Sequence, residues 1–140
     1  MKTPIHYITI LGLVLLSTIT LHAQHVNPEK HNYFILSKNI QQLKPITITA
    51  HALAEEDPKN HGELHVVFCG KTVRDIPGSA FFNQLLEDSK SAPIKIFVCG
   101  LSLKKFNVTP DNLPENIKVI DNGILYALQM KKQGFITLTI

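Results

Sequence analysis

Apolar and polar positions fall into alternating blocks along this chain. His31-Asn32-Tyr33-Phe34-Ile35-Leu36-Ser37 is rich in aromatic and branched residues and reads as a first strand. Ile46, Ala50, Leu53 and Ala54 then recur at three- and four-residue spacing, which predicts a helix with one apolar face. Pro45 is tolerable only in a first turn, so that helix starts near Leu43 or Pro45. Thr47-Ile48-Thr49 has strand propensity of its own, but the alanines and Leu53 continue the helical spacing. Glu55 to Gly62 carries acids, a proline and a glycine, and predicts a loop. Leu64 to Cys69 is a second strand, followed by a short helical turn from Lys71 to Asp75 that Pro77-Gly78 ends. Ser79 caps a helix carrying Phe81, Phe82, Leu85 and Leu86, closed by Ser91-Ala92-Pro93. Ile94 to Cys99 is a third strand and Ser102 to Asn107 a helical turn. Thr109 and Pro110 give a cap and a first helical position, and Ile117 to Ile120 a fourth strand. Asp121-Asn122 caps a last helix from about Gly123 to Gln133, with Ile124, Leu125, Leu128 and Met130 apolar. Gly134 stops it, and Phe135 to Ile140 is a fifth strand.

Strands alternating with helices at this spacing predict an α/β domain, a parallel sheet with helices on both faces. Function in such sheets gathers at the carboxyl ends of the strands. Two of those ends share one grammar. Val66-Val67-Phe68-Cys69-Gly70-Lys71-Thr72-Val73-Arg74 recurs as Ile96-Phe97-Val98-Cys99-Gly100-Leu101-Ser102-Leu103-Lys104, thirty residues later. That offset suits one strand-helix-strand unit, and it places two thiols at equivalent strand ends. In register they project from the same face. If the second and third strands are neighbours, their Cα atoms lie roughly 5 Å apart, within reach of a disulfide. If the first strand lies between them the distance is roughly 10 Å, and no bridge forms.

The first 23 residues are a different material. Met1-Lys2 is positive, Ile8 to Leu16 is nearly all apolar, and small and polar residues lead to a cleavage point after Ala23. This is a secretory signal pattern, shorter than a membrane span; an uncleaved N-terminal anchor is the alternative. It implies a periplasmic or secreted protein that starts at Gln24 and, once cleaved, has no membrane segment. Residues 24–30 are polar and read as a flexible arm, leaving 31–140 as one domain. At 44% hydrophobic and 18% charged, 140 residues suffice for a single core. The net charge of +3 is spread without a basic block, which argues against nucleic acid as a partner.

Export changes how the cysteines are read, since two thiols in an oxidising compartment pair when geometry allows. Two cysteines with no histidine at ligand spacing do not make a zinc site, so no metal is expected. No phosphate loop, dinucleotide fingerprint, nucleophile elbow or C-x-x-C motif is present, and no cofactor is expected. Cys99 sits just before a helix start, where unpaired N–H groups favour the thiolate, with Gly100, Ser102, Lys104 and Lys105 in support. Cys69 is a resolving partner, a structural thiol, or half of a static disulfide. The bland alternative for both is burial as small apolar residues. His61 and His65 are candidate proton carriers, His65 on the same strand face as Cys69.

Ile96-Phe97-Val98-Cys99-Gly100-Leu101-Ser102-Leu103, then Leu113 to Ile124, then Gln129 through Gly134-Phe135, resembles the DsrE/DsrF-like family. The likeness runs from about Tyr33 to Ile140 and is densest after Ile94. It implies a three-layer α/β/α domain with a five-stranded, mainly parallel sheet, in homotrimers or larger rings. It also favours the second and third strands as neighbours. In the sulfur-relay branch a cysteine at the third strand end, matching Cys99, carries a persulfide and passes it between small proteins. The resemblance therefore implies a sulfur carrier or a disulfide exchanger working through Cys99 with small sulfur-carrier or redox partners. Export and the additional Cys69 depart from the cytoplasmic relay pattern. The alternative is a non-catalytic oligomeric binding module whose cysteines are structural.

Overall fold

The computed structural model describes residues 30–140. The expected signal segment 1–23 and the expected arm, up to residue 29, lie outside the described residues. Five strands form one sheet: β1 (His31–Ser37), β2 (His61–Phe68), β3 (Ile94–Cys99), β4 (Lys118–Ile120) and β5 (Ile136–Thr139). Four α-helices connect them: α1 (Leu43–Glu56), α2 (Ala80–Ser89), α3 (Gly100–Lys105) and α4 (Gly123–Lys132). Short 3-10 turns lie at Ile40–Gln42, Gly70–Asp75 and Pro110–Asn112. The strand order is β4-β3-β2-β1-β5, and every pairing is parallel. The sheet is therefore wholly parallel, in an α/β domain with helices on both faces.

Where the elements differ from expectation, local bonds account for it. The Thr47 and Thr49 hydroxyls bond back to the carbonyls of Leu43 (2.8 Å) and Pro45 (2.9 Å), which accommodates both threonines in α1. β2 begins at His61, inside the stretch expected to be loop. Asp57 compresses that loop: its carboxylate takes the Asn60 side-chain amide at 3.0 and 3.1 Å, and its carbonyl takes the His61 N–H at 2.8 Å. Gly62 then enters the strand because a Cβ there would collide with the Asn32 side chain. α3 begins at Gly100, two residues ahead of the expected Ser102. Asn122 caps α4, accepting from the N–H groups of Ile124 and Leu125. Gly134 follows at φ +87°, a left-handed stop that suits glycine.

The two faces of the sheet are covered unequally. Ile35, Leu64, Val66, Phe68 and Val98 join Leu43, Ile46 and Ala50 of α1, Phe82, Leu85 and Leu86 of α2, and Leu103 of α3 in the larger core. On the opposite face Phe34, Val67, Phe97 and Cys99 meet Met130 of α4 in a smaller core. Cys69, Ile120, Tyr126 and Phe135 border that second cluster. Both cysteines therefore lie on the face covered by α4.

Candidate functional site

Each β2 residue pairs with the β3 residue thirty positions later, from Leu64 with Ile94 to Phe68 with Val98. The sequence repeat and the sheet register are the same offset. One further step sets Cys69 opposite Cys99 on adjacent strands, so β1 does not separate them. Adjacent strands lie about 4.8 Å apart, so that register, carried one step past Phe68 and Val98, would bring the Cα atoms into the range a disulfide can bridge. Both are free thiols, Cys99 buried and Cys69 partly buried.

The two line one cleft of about 260 Å³ at the carboxyl edge, with Leu36, Leu101, Phe106 and Ile124 as apolar walls. Ser102, Lys105, Asn122 and Gly123 supply its polar groups. β4 neighbours β3, so the turn leaving β4 passes beside Cys99. The Gly123 N–H at the start of α4 donates to the Cys99 sulfur at 3.3 Å. Glycine eases that approach: a Cβ there would stand 3.2 Å from Val67 Cγ1 and 3.3 Å from Cys99 Cβ, so those neighbours would have to give. Gly100 serves packing too, since its Cβ would stand 3.2 Å from the carbonyls of Ile120 and Asp121.

Ser102 links the two strand ends. The Gly70 N–H donates to its Oγ at 2.9 Å, which leaves the hydroxyl proton for the Cys99 sulfur. Burial pushes the Cys99 thiol up, but hydrogen bonds reverse it. The N–H of Gly123, the N–H and hydroxyl of Ser102 and the N–H of Leu101 hold the thiol below its ordinary value. The Leu101 contribution is shared, because that N–H also bonds the Asp121 carbonyl at 3.0 Å. Cys69 has no such donors. Burial raises it above the ordinary thiol value, the Cys99 charge adds to this, and Lys38 offsets only part.

The expected site residues divide accordingly. Cys99, Cys69 and Ser102 come together in the cleft, and Gly100 sits behind Cys99 against β4. Lys104 is exposed and does not line the cleft, whereas Lys105 does. Gly123 and Asn122 escaped sequence reading as site residues. Their signal was available: a cap and a glycine directly after the strand that follows the Cys99 unit.

A second polar group lies on the same sheet face, toward the amino ends of the strands. His65 is buried, and its Nε2 meets Glu63 Oε2 at 2.8 Å while its Nδ1 meets the Tyr126 hydroxyl at 2.9 Å. Lys95 donates to the other Glu63 oxygen at 2.6 Å. Burial lowers the His65 imidazole below its ordinary value, against the opposing pull of Glu63. The Lys95 and His65 hydrogen bonds hold Glu63 low. His61 does not join this chain: both its ring nitrogens are buried without a hydrogen-bond partner. Among the described residues no cluster of His, Cys, Asp and Glu is placed to hold a metal ion, and no helix is long and apolar enough to cross a membrane.

No protein-family model and no curated protein matches the chain. Among solved structures it is similar to a protein of unknown function, MTH1491 from Methanobacterium thermoautotrophicum. That likeness has a TM-score of 0.65 at 12% identity and covers 80% of this chain and 100% of the other. At that identity the likeness is one of fold.

Proposed function

We propose that this is a DsrE-like thiol protein whose Cys99 carries sulfur as a persulfide or exchanges disulfides. The observation that carries the reading is the asymmetry of the pair. Cys99 is stabilised as thiolate by Gly123 and Ser102, while its neighbour Cys69 is held protonated. A thiolate is the attacking species in both chemistries. With a low-molecular-weight persulfide as donor, the Cys99 thiolate attacks the outer sulfur. The donor's S–S bond breaks, its inner sulfur leaves as a thiolate, and a persulfide forms on Cys99. Attack by Cys69 on the Cys99 sulfur then forms a Cys69–Cys99 disulfide and releases hydrosulfide. The raised Cys69 thiol keeps this second step slow, so a sulfur on Cys99 persists until a partner takes it.

The reading includes export through the N-terminal signal pattern and assembly into a homo-oligomer. Ile124, Leu125 and Leu128 stand exposed on α4, at 67%, 52% and 57%, and Ile136 and Leu138 on the edge strand β5. Apolar side chains grouped in this way mark contact surfaces. They also favour the second reading, a binding module with structural cysteines. Mass spectrometry of protein isolated from its native compartment tests both at once. A persulfide or mixed disulfide on Cys99 supports the first reading; an unmodified Cys99 that alkylates no faster than a free thiol leaves the second. The same spectrum reads the start of the mature chain, expected at Gln24.

A further inference from the structure

We infer that the polar chain running from the exposed pair Lys95–Glu63 through buried His65 to Tyr126 sets the rotation of α4 on the sheet, and so holds the Gly123 N–H on Cys99. This rests on the reading of Cys99 as the reactive thiol.

The need for such a device follows from the composition of α4. Its sequence, Gly-Ile-Leu-Tyr-Ala-Leu-Gln-Met-Lys-Lys, places apolar side chains around most of the circumference. Gly123 and Met130 are buried, yet Ile124, Leu125 and Leu128 are exposed. Successive residues on a helix are about 100° apart, so Leu125 and Leu128 share a face roughly 150° round from that of Tyr126 and Met130, and a rotation of that size would turn them toward the sheet instead. Apolar burial alone gives little preference between the two rotations. A hydrogen bond is directional and does choose.

Tyr126 is the polar anchor on the buried side of α4. Its hydroxyl meets His65 Nδ1 at 2.9 Å across 61 residues of sequence. The Glu63 carboxylate can only accept, so it fixes the proton on Nε2 and leaves Nδ1 as the acceptor for Tyr126. Lys95 on β3 holds Glu63 in turn. Phe97 edges against the imidazole at 5.3 Å between centroids, and Phe135 lies at 5.0 Å. His65 is 6% exposed. Rotating Tyr126 away leaves a buried ring nitrogen without a partner, a penalty that a leucine in its place does not relieve.

The link to Cys99 is short. Gly123 precedes Tyr126 by three residues, about one helical turn. Gly123 is pressed onto Val67 and Cys99, so a small rotation of α4 carries its N–H off the sulfur. Tyr126 and His65 are therefore positioning residues, acting on the thiol through α4.

Two measurements on the full chain test this. The first is amide hydrogen exchange at Gly123, compared with Val66 and Val98 in the β2–β3 ladder. The second is the pH profile of Cys99 alkylation by iodoacetamide. Tyr126→Phe removes one hydroxyl and keeps the ring. It should speed exchange at Gly123 selectively and slow alkylation at pH 7 by ~3-fold, since thiolate fraction sets the rate. His65→Phe should do the same, and the double variant no more than either alone. Met130→Ala, which removes apolar packing from the same helix, should lower the melting temperature with less effect on Gly123 exchange. Unchanged Gly123 exchange in Tyr126→Phe and His65→Phe overturns the inference, as does a rise shared equally by Val66 and Val98. An ordinary thiol profile for Cys99 in the wild-type protein instead overturns the thiol reading; Gly123 exchange still decides the positioning role.

Discussion

Cys69 and Cys99 end adjacent strands in the same local sequence, yet the fold treats them differently. At the end of β2 the chain turns through Gly70 at φ +76° into a 3-10 turn, and the Thr72 hydroxyl oxygen accepts the Ile40 N–H at 3.1 Å. At the end of β3 it enters α3 through Gly100, which is chosen for its closeness to β4. Ser102, the counterpart of Thr72, takes the Gly70 N–H and keeps its proton for Cys99. The same glycine answers a dihedral need at one position and a packing need at the other. The largest single contribution that lowers one thiol and not the other comes from a neighbour, the Gly123 N–H that β4 brings alongside. A motif repeated along a chain is therefore no guarantee of repeated chemistry; the adjoining strand decides.

The strongest way to break this comparison is to remove each thiol in turn. Cys99→Ser should abolish alkylation at neutral pH, and Cys69→Ser should leave most of it, as peptide mass spectrometry after brief iodoacetamide exposure reads directly. Equal labelling of the two single variants would make the thiols equivalent and the contrast void. Next in size is Gly123→Ala. The added methyl meets Val67 and Cys99 at 3.2–3.3 Å, so α4 must move outward, at a cost of ~1–3 kcal/mol for overpacking. Urea unfolding should show that loss, together with a Cys99 thiol that titrates higher. Gly70→Ala is smaller. Its Cβ meets nothing closer than Lys38 Cγ at 3.9 Å, so the cost is the left-handed backbone alone, ~1–2 kcal/mol. A shift in the urea midpoint without a large change in the Cys99 profile is the expected result, and it sharpens the contrast with Gly123.

The smallest effect lies at the other end of β2 and is read by pH. His65 titrates below 6.5 in the fold because burial disfavours its charged form. As pH falls through 6.5 the unfolded chain binds the proton first, so stability declines until the folded value is reached and then levels off. Glu63, held below 4.5 by Lys95 and His65, contributes stability above 4.5 that is lost as pH falls through its folded value. Being half exposed, it contributes the lesser part. Urea midpoints between pH 7.5 and 5 should fall in the wild type and stay flatter in His65→Phe.

Much of this was legible along the chain. Periodicity gave all five strands, Pro45 and Ser79 marked helix starts, and Gly134 marked a stop. The thirty-residue repeat anticipated the β2–β3 register. What escaped was contact between distant segments. The tie from His65 to Tyr126 depends on the rotation of α4, and an apolar helix leaves that rotation open in its sequence. Which of Lys104 and Lys105 lines the cleft was left open by the sequence, and Gly100 gave no sign that it was helical.

The position of β1 between β2 and β5 bears on how the molecule forms. Joining β1 to β2 closes a loop of roughly thirty residues, while joining β1 to β5 closes one of roughly a hundred. The longer closure costs about 1 kcal/mol more in chain entropy, and it must wait until β5 has been made. The β2–β3 ladder needs only its own short span, so it can assemble while α4 and β5 are still undocked. During that interval Cys69 and Cys99 already face each other, without the Gly123 N–H to distinguish them. In an oxidising setting the two thiols are then open to pairing before the donors that set Cys99 apart have docked. The rate of α4 docking then bears on how many molecules keep both thiols free.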